Sequence, residues 1–191
     1  MVFDPAAACP ADVRDRAAAV RLACFDVDGT LTDGRIVLDA EGRESKFFHV
    51  RDGQGLVLLR KAGVQVAFVT ARPGAVAARR AGDLGVDCHA EVGDKLAFVR
   101  ELAQRQQLSM AQVCFMGDDL ADLVVMREAG LAAAPADAHG WILQHAHWRS
   151  TLGGGHGACN QHAEEQQRQG GAGLAGSHGG IAEHSGCAPE T

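Results

Sequence analysis

Between residues 21 and 150 the chain alternates short apolar runs with segments of helical periodicity. The apolar runs lie at 22–27, 64–70, 113–116 and 131–134, and the helical patterns at 53–62, 74–83, 94–106 and 119–129. Short continuous apolar runs are typical of buried parallel strands, and their alternation with helices is typical of βαβ units. We therefore predict an α/β fold with a doubly wound, mainly parallel, Rossmann-like sheet.

A small β-hairpin is predicted between the first strand and the helix at 53–62. Residues 36–38 and 46–50 are rich in apolar side chains, and residues 39–42 between them contain Asp and Gly, which favour turns. Besides this hairpin, the interval between the first two strands holds one helix only. A further folded domain therefore has no room in that interval.

The two ends of the chain differ from its middle. Residues 1–20 are rich in Ala, Asp and Arg and predict a short helix, so we assign residues 1–152 to one domain. Residues 153–191 are rich in Gly, His, Gln and Ser, and their only large aliphatic side chains are Leu174 and Ile181. Such a segment buries too little apolar area to offset its conformational entropy, so we expect a mostly disordered tail.

Composition argues against several classes of protein. The net charge of −6 disfavours a general binder of nucleic acid or of anionic membranes, and no apolar run approaches the roughly 20 residues of a membrane span. The six cysteines form no C-x-x-C pair, which argues against a zinc ribbon or a redox motif. Cys24 and Cys114 lie in apolar runs and are interpreted as reduced core thiols, as expected of a cytoplasmic protein.

Polar side chains follow the predicted strands at the points where these end. The set comprises Asp26 and Asp28 after the first strand, Thr70, Ala71 and Arg72 after the second, Lys95 at the start of a helix, and Asp118, Asp119 and Asp122 after the third apolar run. Ligands of open α/β sheets bind beyond the carboxyl ends of the strands. These carboxylates, the hydroxyl and the ammonium are therefore expected in one crevice.

The chemistry of such a crevice is restricted. Carboxylates that face one another repel unless a cation lies between them, and oxygen ligands of this kind suit Mg²⁺. With Lys95 and the Thr70 hydroxyl, the crevice would bind an anion such as a phosphoryl group. For any single Asp the alternative is a helix cap or a solvated turn, but four motifs in order favour a catalytic site.

The order Asp-x-Asp-Gly-Thr, Thr, Lys and Gly-Asp-Asp-x-x-Asp resembles the motifs of the haloacid dehalogenase-like (HAD) phosphatases. The resemblance implies that Asp26 is the nucleophile, which forms an aspartyl-phosphate, and that Asp28 is the general acid and then the general base. Thr70, Ala71 and Lys95 would bind phosphoryl oxygens. Mg²⁺ would be held by Asp26, the backbone carbonyl of Asp28, and Asp118, with Asp122 supporting and Asp119 supporting through water or Lys95.

Further runs narrow the resemblance. Residues 31–34, 49–55 and 136–138, together with the motifs above, resemble the 3-deoxy-D-manno-octulosonate 8-phosphate (KDO 8-phosphate) phosphatases over residues 12–158. This implies a homotetrameric, Mg²⁺-dependent enzyme without a cap domain, which hydrolyses KDO 8-phosphate to KDO and phosphate in lipopolysaccharide biosynthesis. The hairpin of one subunit would then reach its neighbour. After Ala158 the chain departs from the family, and residues 159–162 do not predict the amphipathic helix expected there.

A sugar acid also needs a partner for its carboxylate. Arg51 and Arg72 are the candidates, because a guanidinium binds a carboxylate through two hydrogen bonds. The alternative for Arg51 is an ion pair with Asp52 or another acid that fixes the loop. Two other functions stay open: a phosphatase for another sugar-acid phosphate or small phosphomonoester, and a non-catalytic oligomerisation or regulatory domain.

Overall fold

The computed structural model describes residues 10–170 as strands and helices in alternation. The strands are β1 (Leu22–Phe25), β2 (Val37–Leu38), β3 (Glu44–Ser45), β4 (Gln65–Val69), β5 (Asp87–His89), β6 (Val113–Met116), β7 (Leu131–Ala134) and β8 (Trp148–Arg149). The helices are α1 (Ala11–Ala19), α2 (Val50–Lys61), α3 (Ala75–Leu84), α4 (Lys95–Arg105), α5 (Leu120–Met126), α6 (Gly140–His145) and α7 (Ala158–Gly170). Within residues 10–170, no helix combines the length and the hydrophobicity needed to cross a bilayer.

Six strands form one parallel sheet in the order β5-β4-β1-β6-β7-β8. In the central register, Phe25 pairs with Phe68 of β4 and with Met116 of β6. Because the three strands run in the same direction, the residues that follow them lie at one edge of the sheet. The predicted α/β fold with its parallel sheet is confirmed, and β2 and β3 form the separate antiparallel hairpin.

Each face of the sheet carries its own hydrophobic core. One face packs against α1, α2, α3 and α7, and the other packs against α4, α5 and α6. Cys114 pairs with Ala23, the residue before Cys24, and successive residues of a strand point to opposite faces, so Cys24 lies in one core and Cys114 in the other. Both thiols are free and buried, as predicted.

The hairpin is shorter than the sequence predicts. Its strands are two residues each, and the predicted strand at 46–50 is replaced by extended chain that leads into α2. The extended stretch stops at His49, which caps α2. Its Nδ1 accepts a 3.2 Å hydrogen bond from the amide of Arg51. Such a side-chain cap stabilises the first turn of a helix and so sets where the extended chain stops.

Part of the predicted tail is helical, since the chain forms α7 from Ala158 to Gly170. This helix packs on α2 through small side chains, including Ala158 and Ala163, and a Cβ atom at Gly55 of α2 would overlap the backbone of Asn160. Close approach of the two helices thus takes the place of large aliphatic side chains. We propose that the domain extends through α7. The rest of the predicted tail, residues 171–191, lies outside the described residues.

His162 of α7 is buried against the sheet. Its Nε2 lies 3.1 Å from the sulfur of Cys114, and its ring lies 5.1 Å from that of Trp148. Burial lowers the pKa of His162 to about 4, so the side chain is neutral at physiological pH. The neutral imidazole of His162 therefore packs as a core residue. The prediction of a disordered tail counted only large aliphatic side chains and did not include it.

Candidate active site

One cavity of about 300 Å³ lies at the carboxyl edge of the sheet. Every residue that the sequence analysis assigned to the site lines it except Arg51, and Gly34 and Ala121 complete the lining. Asp26 is the residue directly after β1, Asp118 is the second residue after β6, and Lys95 begins α4. The parallel central strands place Asp26 and Asp118 at this edge of the sheet, and α4, which follows β5, brings Lys95 to them.

Lys95 is the buried cation of the site. Its Nζ lies 2.7 Å from Oδ1 of Asp26 and 2.6 Å from Oδ1 of Asp122, and the residue is 5% exposed. Burial by itself would lower the pKa of Lys95, but the two carboxylates outweigh it and raise that pKa above its ordinary value. Lys95 is therefore charged and fixed between two acids.

Asp122 supports the site through both of its carboxylate oxygens. Its Oδ1 contacts Lys95, and its Oδ2 accepts hydrogen bonds from the amides of Asp118 at 3.1 Å and Asp119 at 3.2 Å. Both oxygens are thus engaged, and the residue is fully buried. Asp119 caps α5 by accepting a 2.7 Å hydrogen bond from the amide of Leu120. Lys95 is therefore supported by Asp122, whereas the sequence analysis also considered Asp119 for that contact.

Asp26 and Asp118 are the carboxylates left to bind a cation. Burial raises the pKa of Asp26 to about 7, Asp122 adds to this rise, and Lys95 opposes it. Burial and then the charge of Asp26 raise the pKa of Asp118 to about 7, although the Thr30 hydroxyl donates a 2.9 Å hydrogen bond to its Oδ1. A cation bound between the two carboxylates would oppose both shifts, because it favours their charged forms.

The donor set fits Mg²⁺. Asp26, Asp118 and Asp122 can each place an oxygen within 4.8 Å of the others, and together with Lys95 they carry a net charge of −2 when all four are ionised. A divalent cation would balance that charge, and Mg²⁺ prefers one or two protein carboxylates. Because Asp122 has both oxygens engaged, Asp26 and Asp118 are the residues that would hold the ion.

The loop after β1 is shaped around Asp118. Gly29 has a φ of +94°, and a Cβ atom there would overlap the Asp118 carboxylate. Only glycine adopts this backbone conformation without strain and leaves space for the acid. The Asp-Gly step of the first motif is therefore required by the packing of the site.

Two hairpin residues that the sequence analysis missed complete the rim. Lys46, whose side chain is 3% exposed, forms an ion pair with Oδ1 of Asp28, and Glu44 accepts a 2.6 Å hydrogen bond from Arg72. Arg72 Nε lies 3.9 Å from Oδ2 of Asp28. The sequence signal for these two residues is that Glu44 and Lys46 have opposite charges and lie two residues apart. In an extended segment, this spacing places both side chains on one face.

Arg51 lies elsewhere. Its side chain is exposed at the start of α2, and it forms no ion pair with Asp52. The carboxylate of Asp52 instead accepts hydrogen bonds from the amides of Gly157 and Asn160. Of the two arginines predicted to contact substrate, Arg72 alone lines the cavity of its own chain.

The raised pKa values predict that Mg²⁺ binding depends on pH. A carboxyl group whose pKa is raised by folding stabilises the protein at low pH, and that stability is lost as the pH rises through about 7. Mg²⁺ binds the ionised carboxylates, so the stabilisation that it provides should grow from pH 5 to pH 8. At a Mg²⁺ concentration of 100 times the Kd, this stabilisation should reach about 2.7 kcal/mol. Unfolding midpoints with Mg²⁺ and with EDTA at each pH measure the difference.

Asp118→Asn is the variant that should lose this stabilisation. Asp83→Asn changes an exposed acid of α3 that pairs with Arg79, and it should keep the stabilisation in full. A shift that is equal at pH 5 and pH 8, or one that survives in Asp118→Asn, would contradict the assignment.

The chain is similar to several known proteins, although no protein-family model matches it. A 3-deoxy-D-manno-octulosonate 8-phosphate phosphatase from Yersinia pestis is 41% identical over 152 residues, 78% of this chain and 81% of that protein. The structure of a hypothetical protein from Xanthomonas campestris has a TM-score of 0.87 and 48% identity, covering 90% of this chain and 94% of that one.

A third similarity involves a structure with ligands. The 3-deoxy-D-manno-octulosonate 8-phosphate phosphatase from Moraxella catarrhalis, in complex with a magnesium ion, a phosphate ion and KDO, has a TM-score of 0.82 and 32% identity. The match covers 86% of this chain and 97% of that one. Each similarity extends over most of both chains, and the two structural matches share the overall architecture of this chain.

Proposed function

The chain belongs to the KDO 8-phosphate phosphatase family of the HAD superfamily, and we propose that it hydrolyses KDO 8-phosphate to KDO and phosphate with Mg²⁺ as cofactor. The observation that carries the proposal is the pairing of Asp26 with buried Lys95 in a cavity that Asp28, Thr70 and Asp118 also line. The same membership supports a role in lipopolysaccharide biosynthesis in the cytoplasm.

In the proposed mechanism, a carboxylate oxygen of Asp26 attacks phosphorus and forms an aspartyl-phosphate. The bond from phosphorus to the sugar oxygen breaks, and Asp28 gives that oxygen a proton. Asp28 then takes a proton from water, which attacks phosphorus, so phosphate leaves and the Asp26 carboxylate is restored. Splitting a very slow hydrolysis into two displacements makes each barrier lower.

The other residues neutralise and orient the phosphoryl group. Lys95 Nζ and the Thr70 hydroxyl would bind its oxygens, with the amide of Ala71 beside them. Mg²⁺, when held by Asp26, the Asp28 backbone carbonyl and Asp118, would supply positive charge against the phosphoryl oxygens. Oδ2 of Asp28 is buried and has no hydrogen-bond partner among the described residues, so it is the oxygen we assign to proton transfer.

Substrate recognition is proposed to involve the rim. Arg72 is within reach of both Asp28 and Glu44, and its side chain is 37% exposed, so it can exchange Glu44 for the carboxylate of a sugar acid. Arg51 does not line the cavity of its own chain. We propose that it contacts the substrate bound in a neighbouring subunit. Phosphatases for other sugar-acid phosphates remain the alternative within enzymes.

We also propose a homotetramer. Apolar side chains are exposed on and beside the hairpin: Ile36, Leu38, Phe47 and Val50. Phe47 is 70% exposed and Val50 81%. Adjacent apolar side chains of this size are typical of surfaces that a partner covers, and the hairpin borders the cavity through Lys46. A native mass four times that of the chain is expected, and a monomer would contradict the proposal.

The substrate is tested by kcat/KM for KDO 8-phosphate beside a panel of other sugar phosphates, each with Mg²⁺. Preference for KDO 8-phosphate by about 100-fold or more is expected if the rim recognises the sugar acid. Equal turnover of all substrates would support a general phosphomonoesterase. Release of phosphate from none of them by the folded protein would favour the non-catalytic domain, which the complete set of site residues argues against.

A further inference from the structure

Residues 154–157, which connect β8 to α7, lie directly against the loop that follows β1. The amide of Gly155 donates a 3.1 Å hydrogen bond to the carbonyl oxygen of Thr30. A Cβ atom at Gly154 would overlap the carbonyl oxygen of Gly29, so the two backbones approach more closely than any other residue type would allow. This segment therefore contacts the loop that carries the first motif, although it lies more than 120 residues away in sequence.

Thr30 joins this segment to the proposed metal site. Its carbonyl oxygen accepts from Gly155 and, at 3.8 Å, from the thiol of Cys159. Its hydroxyl donates to Oδ1 of Asp118 at 2.9 Å. Because Thr30 is fully buried and held at both ends, a displacement of residues 154–157 would move the hydroxyl away from Asp118.

Asp52 holds the same segment from the opposite side. It lies in the first turn of α2 and is 2% exposed. Its Oδ2 accepts a 3.1 Å hydrogen bond from the amide of Gly157, and its Oδ1 accepts a 3.0 Å hydrogen bond from the amide of Asn160. The carboxylate thus satisfies amides at the start of α7, where a negative charge also interacts favourably with the helix dipole.

We propose that Asp52 is a positioning residue for Asp118, acting through residues 154–157 and Thr30. The inference rests on the proposed function, because Asp118 is the carboxylate assigned there to Mg²⁺. Groups that orient a metal ligand contribute to metal affinity without touching the metal. Asp52 therefore contributes to the site although it does not line the cavity. Through its contact with Asp52, α7 also contributes to the position of Asp118.

The test is a double-mutant cycle with Mg²⁺ affinity as its readout, measured by calorimetry on the full chain without substrate. Thr30→Val removes the hydroxyl at constant shape and should weaken Mg²⁺ binding about 10-fold. Asp52→Asn should weaken it about 3- to 10-fold. If Asp52 acts through Thr30, the double variant should bind Mg²⁺ no more weakly than Thr30→Val alone, within about twofold.

Ala163→Gly is the matched control. It weakens α7 at a buried position but leaves the hydrogen bonds of Asp52 in place, so it should lower Tm without changing Mg²⁺ affinity. Thr30→Ser keeps the hydroxyl. Its Mg²⁺ affinity should therefore stay close to that of the unmodified protein. If Asp52→Asn does not fold, Asp52→Ser keeps one acceptor oxygen and takes its place in the cycle.

Three results would overturn the inference: unchanged Mg²⁺ affinity in the Asp52 variant, losses that multiply in the double variant, or an equal loss in Ala163→Gly. With saturating Mg²⁺, the Asp52 variant should regain most of its kcat and keep its KM within about twofold. Failure of the unmodified protein to hydrolyse KDO 8-phosphate would refute the proposed substrate and not this inference, since the cycle uses no substrate.

Discussion

Asp26→Asn should lower phosphate release by about 10⁴-fold or more, because the amide cannot act as the nucleophile that forms the acyl phosphate. The substitution keeps the shape of the side chain, and it removes a buried carboxylate whose pKa is raised by its burial. Lys95 also keeps Asp122 as its partner at 2.6 Å, so the variant should stay folded. Phosphate release under single-turnover and steady-state conditions measures the effect.

The control for Asp26→Asn is Asp83→Asn, an identical change at an exposed position of α3, which should keep full activity. In the unmodified protein, rapid acid quenching during turnover should trap a phosphoryl group on the peptide that contains Asp26. An Asp26→Asn variant that retains a tenth or more of the activity, or a phosphoryl group found on another residue, would refute the assignment of the nucleophile.

Lys95→Met should have two effects at once. It removes the ammonium proposed to bind the phosphoryl group, and it leaves Asp26 and Asp122 facing each other without a cation. Loss of one partner of a buried ion pair costs about 3–5 kcal/mol of folding free energy, and we expect activity to fall about 10³-fold or more. Chemical denaturation and phosphate release measure the two effects separately.

The double variant Lys95→Met, Asp122→Asn separates stability from catalysis. Neutralising Asp122 removes the repulsion that Lys95 no longer balances, so most of the lost stability should return while activity stays low. Recovery of activity together with stability would mean that Lys95 acts only through the fold. Lys61→Met, at an exposed position of α2, is the matched control and should change neither quantity.

The fold and the central site could be predicted because their signals are local. A buried parallel strand requires a continuous apolar run, and its end is marked by the first polar residues, as at Asp26 and Asp118. Once strands alternate with helices, the parallel arrangement places those ends at one edge. Lys95 could be placed at the start of a helix because residues 94–106 have helical periodicity, and in the structure Asp94 caps α4 by accepting a 2.9 Å hydrogen bond from the amide of Ala97.

The parts that could not be predicted depend on contacts between distant segments. Lys46 reaches Asp28 only because of the way the hairpin folds over the cavity, and its sequence neighbourhood carries no motif. For α7, large aliphatic side chains were the expected source of stability, but the helix is held by small residues against Gly55, by neutral His162 and by hydrogen bonds to Asp52. None of these contacts has a periodic pattern in the sequence.

The central claim is tested most directly by phosphate release from KDO 8-phosphate at neutral pH, with Mg²⁺ and with EDTA. We expect rapid release with Mg²⁺, none above background with EDTA, and full recovery when Mg²⁺ is restored in excess. A folded protein that releases no phosphate with Mg²⁺, or that releases it equally with EDTA, would contradict the assignment of this cavity as a Mg²⁺-dependent phosphatase site.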